Sequence, residues 1–216
     1  MTARSNPKLL ILAGALLASL LVAGAAIINL SRDAARPETI PARDSSRVGA
    51  MRAGEFNPPH GAPEFSLRGS DGSEVTLARY RGKVVLLTFG FTYCAAVCPT
   101  TLATLAQVRG KLGKAADSVQ VIFVTVDPAR DDAAHMRDYL KAFDPGFIGA
   151  AGTPNALAAV RRKYGVTAIK RGTGSDYAMD HTSSIFLIDR DGKLRAMMPF
   201  GHDPDDFVHD IQRLLA

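Results

Sequence analysis

The stretch Lys83–Leu102, KVVLLTFGFTYCAAVCPTTL, decides the reading of this chain, because it joins an apolar run to both cysteines of the protein, Cys94 and Cys98. Val84 to Phe89 has the continuous hydrophobicity of a strand covered on both faces. Beyond Pro99, Leu102, Leu105, Val108 or Arg109, and Leu112 are spaced for an amphipathic helix over Thr101–Leu112. The two thiols therefore fall where a buried strand hands over to a helix. On the first turn of that helix, positions i and i+4 share one face. Their Cα atoms would stand about 6 Å apart, close enough for a disulfide or for convergence on one soft ion. Backbone N–H groups at a helix N-terminus stabilise thiolate, which predicts lowered pKa values for both cysteines. Pro99 costs little in a first turn, where the N–H it lacks would be unpaired anyway. A purely structural bond between such near neighbours closes too short a loop to stabilise much. Three chemistries stay open at this point: metal capture, disulfide exchange and peroxide reduction.

Outward from this stretch the pattern is regular. Phe65–Leu67 and Val75–Leu77 flank the turn Gly69–Gly72 and predict a small hairpin. Val119–Val126 predicts a second buried strand. Asp131-Asp132 can cap a helix whose Ala133, Met136, Leu140 and Phe143 share a face. Thr153-Pro154 opens another, with Leu157, Val160 and Tyr164 as its apolar stripe. A short strand at Val166–Ile169 and a glycine loop at Gly172–Asp176 come next. Ser183–Ile188 and Leu194–Met198 then form a hairpin about Arg190–Lys193. Asp203-Pro204 starts a final helix with Phe207, Val208, Ile211 and Leu214 or Leu215 facing inward. A βαβ unit closed by an antiparallel hairpin and a last helix is the thioredoxin-like order, an α/β fold, here with an N-terminal β-hairpin extension.

Upstream, Leu9–Leu30 is a 22-residue stretch whose polar side chains are Ser19 and Asn29. As a helix it would reach about 33 Å, against a hydrocarbon core of about 30 Å. Arg4 and Lys8 precede it and favour a cytoplasmic N-terminus. The competing reading is a cleaved signal peptide with Ala23-Gly24-Ala25 as the small-residue site. The apolar run continues through Ile27, Ile28 and Leu30, past such a cut, and no cysteine follows it for lipid attachment. The expected organisation is a cytoplasmic N-terminus (1–8), a transmembrane anchor or signal (9–30), a flexible Pro/Arg/Ser-rich tether (31–59) and the domain (60–216). Either reading exports the domain, to the periplasmic face of a bacterial inner membrane or, after cleavage, to the periplasm itself. That space is oxidising, so working thiols there need a reducing partner. The charge, 26 basic against 21 acidic residues, is scattered without a Lys/Arg run, which argues against nucleic acid as a partner.

A metal needs more than two thiols, and the chain has five histidines. His60 lies in the tether region, His135 and His209 on predicted helices, and His202 in the final turn. His181 stands at the mouth of the strand Ser183–Ile188, an entrance that a thioredoxin-like fold brings near the thiol-bearing helix. Two cysteines with one histidine suit Cu(I), and the imidazole also lets the set hold Cu(II). Zinc would want a fourth ligand. Met179, Met197 and Met198 could offer thioethers but belong more often to cores.

GFTYCAAVCPTTL at Gly90–Leu102, VTVDPARD at Val124–Asp131, DHTSSIFLIDRDGKL at Asp180–Leu194 and the leading GAPEFSLRGSDG at Gly61–Gly72 together resemble the Sco/SenC family. The resemblance covers about Ala62–Ala216. It implies a membrane-tethered copper chaperone of cytochrome c oxidase assembly, with Cys94, Cys98 and His181 as copper ligands. Asp127 matches the family's aspartate linked to metal-site function and partner contact; a turn cap before Pro128 is its other reading. Ala95-Ala96 stand where the family often has Pro-Asp, which removes a carboxylate near the thiols. The implied partners are the copper-binding subunit of the oxidase, and a thiol reductant or another copper carrier. The alternative to the chaperone is a thiol-disulfide oxidoreductase that reduces that subunit's cysteines. General reductases space their cysteines by two residues, not three, yet the thiolate argument permits exchange. Peroxide reduction would leave the second cysteine and His181 without a task.

Overall fold

In the computed structural model, which describes residues 50–216, the apolar run around Leu86 lies near the middle of an eight-stranded sheet. The strands in chain order are β1 (Gly54–Gly61), β2 (Ser66–Gly69), β3 (Glu74–Thr76), β4 (Val84–Gly90), β5 (Val119–Thr125), β6 (Ile148–Ala151), β7 (Ala168–Arg171), β8 (Ala178–His181), β9 (Ile185–Ile188) and β10 (Lys193–Met198). The helices are α1 (Val97–Leu112), α2 (Ala133–Lys141), α3 (Pro154–Lys163) and α4 (Pro204–Leu215). The sheet order is β1-β10-β9-β4-β5-β6-β2-β3, and β7 and β8 form a separate two-stranded sheet.

Every residue of β4 and of β5 is buried, which is why neither sequence alternates. They pair in parallel from Val84↔Val119 to Gly90↔Thr125, while β9 adds antiparallel on the other side of β4. The core order β5-β4-β9-β10, with α1 after β4 and α4 after β10, is the thioredoxin-like arrangement that the chain pattern predicts. α1 packs on α4, and α4 on β4. The buried face of α1 is Leu102, Leu105, Val108 and Leu112, the predicted stripe. Asp132 caps α2 by accepting from the His135 N–H, and Thr153 caps α3 by accepting from Ala156.

Three local readings change. The third parallel strand, β6, has the sequence IGAA, without the β-branched run that marks a strand. Gly149 in β6 is tightly packed, since a Cβ there would stand 3.1 Å from both Met136 and Leu140 of α2, which would have to give way. Asp131 does not cap α2; it turns back toward Thr92. The tether expected over 31–59 is described only from residue 50, and β1 already pairs with β10 from Gly54. The register shifts between Glu55 and His60, where Pro58-Pro59 lie, and an edge strand with a bulge is where a sheet tolerates proline. Arg52 and Ala53 N–H groups donate to the buried Asp210 carboxylate of α4, so folded structure begins before residue 60. The expected anchor at 9–30 lies outside the described residues; among those described, no helix is long and apolar enough to cross a membrane.

Candidate metal centre

β4 ends at Gly90, and the chain crosses six residues before α1 begins at Val97. Cys94 therefore precedes the helix, and only Cys98 lies in its first turn; the expected shared helical face does not form. Ala96, the residue before the helix, offers no side-chain acceptor, so sulfur takes that place: the Cys98 N–H points at Cys94 Sγ, 3.5 Å away. Cys94 is half-buried, Cys98 is 3% exposed, and both are free thiols.

Cys98 rests on a close-packed floor. A Cβ added at Gly90 would come within 2.9 Å of its Sγ and 2.6 Å of the Phe123 ring, so only glycine lets strand and sulfur approach. The other neighbour of Cys98 is His181, whose Nε2 stands 3.5 Å from the sulfur. His181 Nδ1 lies 2.9 Å from the Thr182 carbonyl oxygen, which can only accept. The ring proton therefore belongs on Nδ1, and the Nε2 lone pair faces Cys98. The Phe91 ring meets the imidazole edge-on, at 5.8 Å and 85°.

That spacing has a chemical meaning. A sulfur at about 2.3 Å and an imidazole nitrogen at about 2.0 Å from one ion, separated by a tetrahedral or trigonal angle, are about 3.5–3.8 Å apart. The 3.5 Å between Cys98 Sγ and His181 Nε2 matches such an edge. Among the described residues no three His, Cys, Asp or Glu side chains already stand as a complete metal group. The third donor nearest to hand is Cys94, whose sulfur is engaged at the start of α1.

The two thiols differ electrostatically, contrary to the expectation that both are lowered. Burial works against the Cys94 thiolate, but the N–H groups of Cys98, Ala96 and Val97 outweigh it and bring its pKa below the ordinary value. Burial dominates at Cys98 and pushes it up to about 12, with only partial relief from the Phe91 backbone. One thiol is poised to ionise; the other keeps its proton unless an ion replaces it.

Asp127 is buried at the end of β5 and makes no contact with either sulfur among the described interactions. Its N–H donates to Thr125 Oγ1, and its carboxylate receives the Tyr177 hydroxyl and Arg130 Nε, both at 2.6 Å. Asp131, equally buried, accepts from the N–H and hydroxyl of Thr92 and from Thr125 Oγ1, tying the cysteine loop to β5; burial raises its pKa against those bonds. Arg130, Asp131 and Tyr177 went unrecognised in the sequence. Arg130 and Asp131 lie inside the VTVDPARD motif, but nothing local signals Tyr177.

The remaining candidates lie elsewhere or play other parts. His60 meets Phe56 edge-on in β1, His202 pairs with Asp206, and His209 with Asp210. His135 is exposed, stacked on Tyr93 and 2.9 Å from Thr92 Oγ1, at the rim of the cysteine loop. Met198 is in the core, with Met179 and Met197 packed against it.

A thioredoxin-like domain that brings a thiol pair and a histidine together at the end of its first core strand is the class the fold and site define. The SCO1/SenC family model matches residues 54–216, and the chain belongs to that family. It is 35% identical over 187 residues to the mitochondrial SCO2 homologue of Mus musculus, spanning 85% of this chain and 72% of that one. The copper-bound structure of Bradyrhizobium japonicum ScoI is 41% identical and superposes with a TM-score of 0.67, covering 72% of this chain and 99% of that one. Copper-bound yeast Sco1 is 30% identical with a TM-score of 0.65, over 72% and 88% of the two chains.

Proposed function

We propose that this chain is a membrane-tethered copper chaperone that carries copper to the binuclear copper site of cytochrome c oxidase during assembly, with Cys94, Cys98 and His181 as its ligands. The observation that carries the reading is the 3.5 Å separation of Cys98 Sγ and His181 Nε2, with the ring proton held on the opposite nitrogen. Two thiolates and an imidazole form a soft donor set suited to Cu(I), with enough nitrogen character for Cu(II). Membership of the SCO1/SenC family and likeness to copper-bound ScoI and Sco1 support copper as the cargo. Leu9–Leu30, preceded by Arg4 and Lys8, supports tethering with the domain on the periplasmic side of a bacterial inner membrane.

Copper titration of the reduced chain tests this. It takes up one Cu(I) per chain, and His181→Ala loses tight binding while Cys94 and Cys98 still form a disulfide on oxidation. Unchanged affinity in His181→Ala would falsify the ligand assignment.

The unequal thiols favour one second reading, a thiol-disulfide oxidoreductase acting on the cysteines of the oxidase subunit. Cys94, half-exposed with a lowered pKa, would attack, and Cys98 would resolve the mixed disulfide. Uptake far below one copper per reduced chain moves the function to this reading.

A further inference from the structure

β7 and β8 pair only with each other. A lone two-stranded hairpin is marginal in water, and this one is poorly covered: Ile169, Lys170 and Arg171 are exposed, and β8 alternates between exposed and half-buried residues. Yet its last residue, His181, is held against Cys98. At the base of the arm, the Thr182 N–H donates to the Thr167 carbonyl, and Ala168 and Met179 touch the core. The far end, where Arg171 pairs with Ala178, lies beyond these contacts.

That far end has its own attachment. Tyr177 donates its hydroxyl to Asp127 Oδ1 at 2.6 Å, and Arg130 Nε donates to Oδ2 at the same distance. The Arg130 guanidinium lies 3.6 Å from the centre of the Tyr177 ring, and 4.7 Å and 5.8 Å from those of Tyr93 and Phe91 in the cysteine loop. One cation thus stacks against rings from both halves of the site. Its Nη2 is buried without a hydrogen-bond partner among the described residues, so stacking, the Asp127 pair and a 3.5 Å donation from Nη1 to the Ser175 carbonyl hold the guanidinium. Asp127 is itself buried, and its carbonyl accepts from the Arg130 and Asp131 N–H groups, which gives the clamp a fixed foot. Without the tyrosine hydroxyl, a buried carboxylate oxygen loses its donor.

We infer that Tyr177 and Arg130 are positioning residues that clamp the β7–β8 arm to the turn after β5 and to the cysteine-loop rings, and so set where His181 stands over Cys98. The inference rests on His181 being a copper ligand, but its first readout needs no copper. In the metal-free, reduced full-length chain, Tyr177→Phe, Tyr177→Ala and Arg130→Met are compared by amide exchange along β8 and by the ring-nitrogen NMR signals of His181. The variants are expected to exchange faster at β8 and to replace the single Nδ1–H tautomer with an averaged signal. Cu(I) affinity, read by competition with a chelator, then falls by about ten- to a hundredfold in Tyr177→Ala and by less in Tyr177→Phe.

Wild-type exchange and His181 signals in Tyr177→Phe and Arg130→Met overturn the inference, and Tyr177→Phe keeps the ring should the larger truncation unfold the domain. A loosened arm with unchanged copper affinity overturns it too, given that His181→Ala loses copper. If His181→Ala keeps its copper, the ligand reading fails instead, and the metal-free signals still judge the clamp.

Discussion

Cys98 stands on a floor that cannot shift without disturbing the core, whereas His181 stands at the base of an arm that touches the core at few points. The floor is β4 and β5, buried along their whole length, with Gly90 and Phe123 against the sulfur. The arm is β7 and β8, a separate sheet held by the Thr167–Thr182 base and the Tyr177–Asp127–Arg130 clamp. The two halves draw on different physics. Dense packing resists displacement in every direction, while a few polar contacts define one position and can be released together. A densely packed thiol and a histidine on a lightly attached arm suit a protein proposed to bind an ion and hand it on.

The comparison breaks most severely at the floor. Gly90→Ala forces a methyl against the Phe123 ring and the Cys98 sulfur; it destabilises the domain by about 1–3 kcal/mol, read as a lower denaturant midpoint. An unchanged midpoint would mean that the floor yields as readily as the arm.

A smaller effect sharpens the contrast between the thiols themselves. In the reduced metal-free chain, alkylation followed by peptide mass spectrometry finds Cys94 modified at least about tenfold faster than Cys98. The sign follows from the shifts. A lowered pKa makes Cys94 thiolate below the usual thiol range, while Cys98 stays protonated up to about 12. Raising the solution from about pH 6 to about pH 9 therefore takes Cys94 toward full ionisation and a rate plateau, while Cys98 stays almost wholly protonated and the slower of the two. Equal rates would remove the electrostatic difference between loop and helix.

The smallest change is expected on the outer face of the arm. Arg171 pairs with Asp180 across β7 and β8, but both side chains are 62% exposed. Arg171→Ala should alter stability by no more than about 0.5 kcal/mol and leave β8 exchange near wild type. A loosened arm in this variant would move the clamp from Tyr177 to the exposed ion pair.

The parts legible in the sequence are those written in local signals. The uninterrupted apolarity of Val84–Phe89 and Val119–Val126, the Thr153-Pro154 start and the α1 stripe each depend on residues a few positions apart. β6 escaped because its glycine and alanines answer to α2 packing rather than to strand propensity. β1 escaped because its prolines read as a linker until β10 is beside them. Asp131 reads as a cap in the sequence because Thr92, which it holds, lies thirty-nine residues away.

The sequence by itself determined the order of strands and helices apart from β1, β6 and β8, the thiol pair at the strand–helix junction and the motifs that mark the family, since all of these are carried by near neighbours. The tertiary structure alone decided which thiol is held protonated, where Cys94 stands relative to α1, and that Tyr177 reaches Asp127. Desolvation depends on everything packed around a group, and contacts such as Cys98 to His181 join residues eighty-three positions apart.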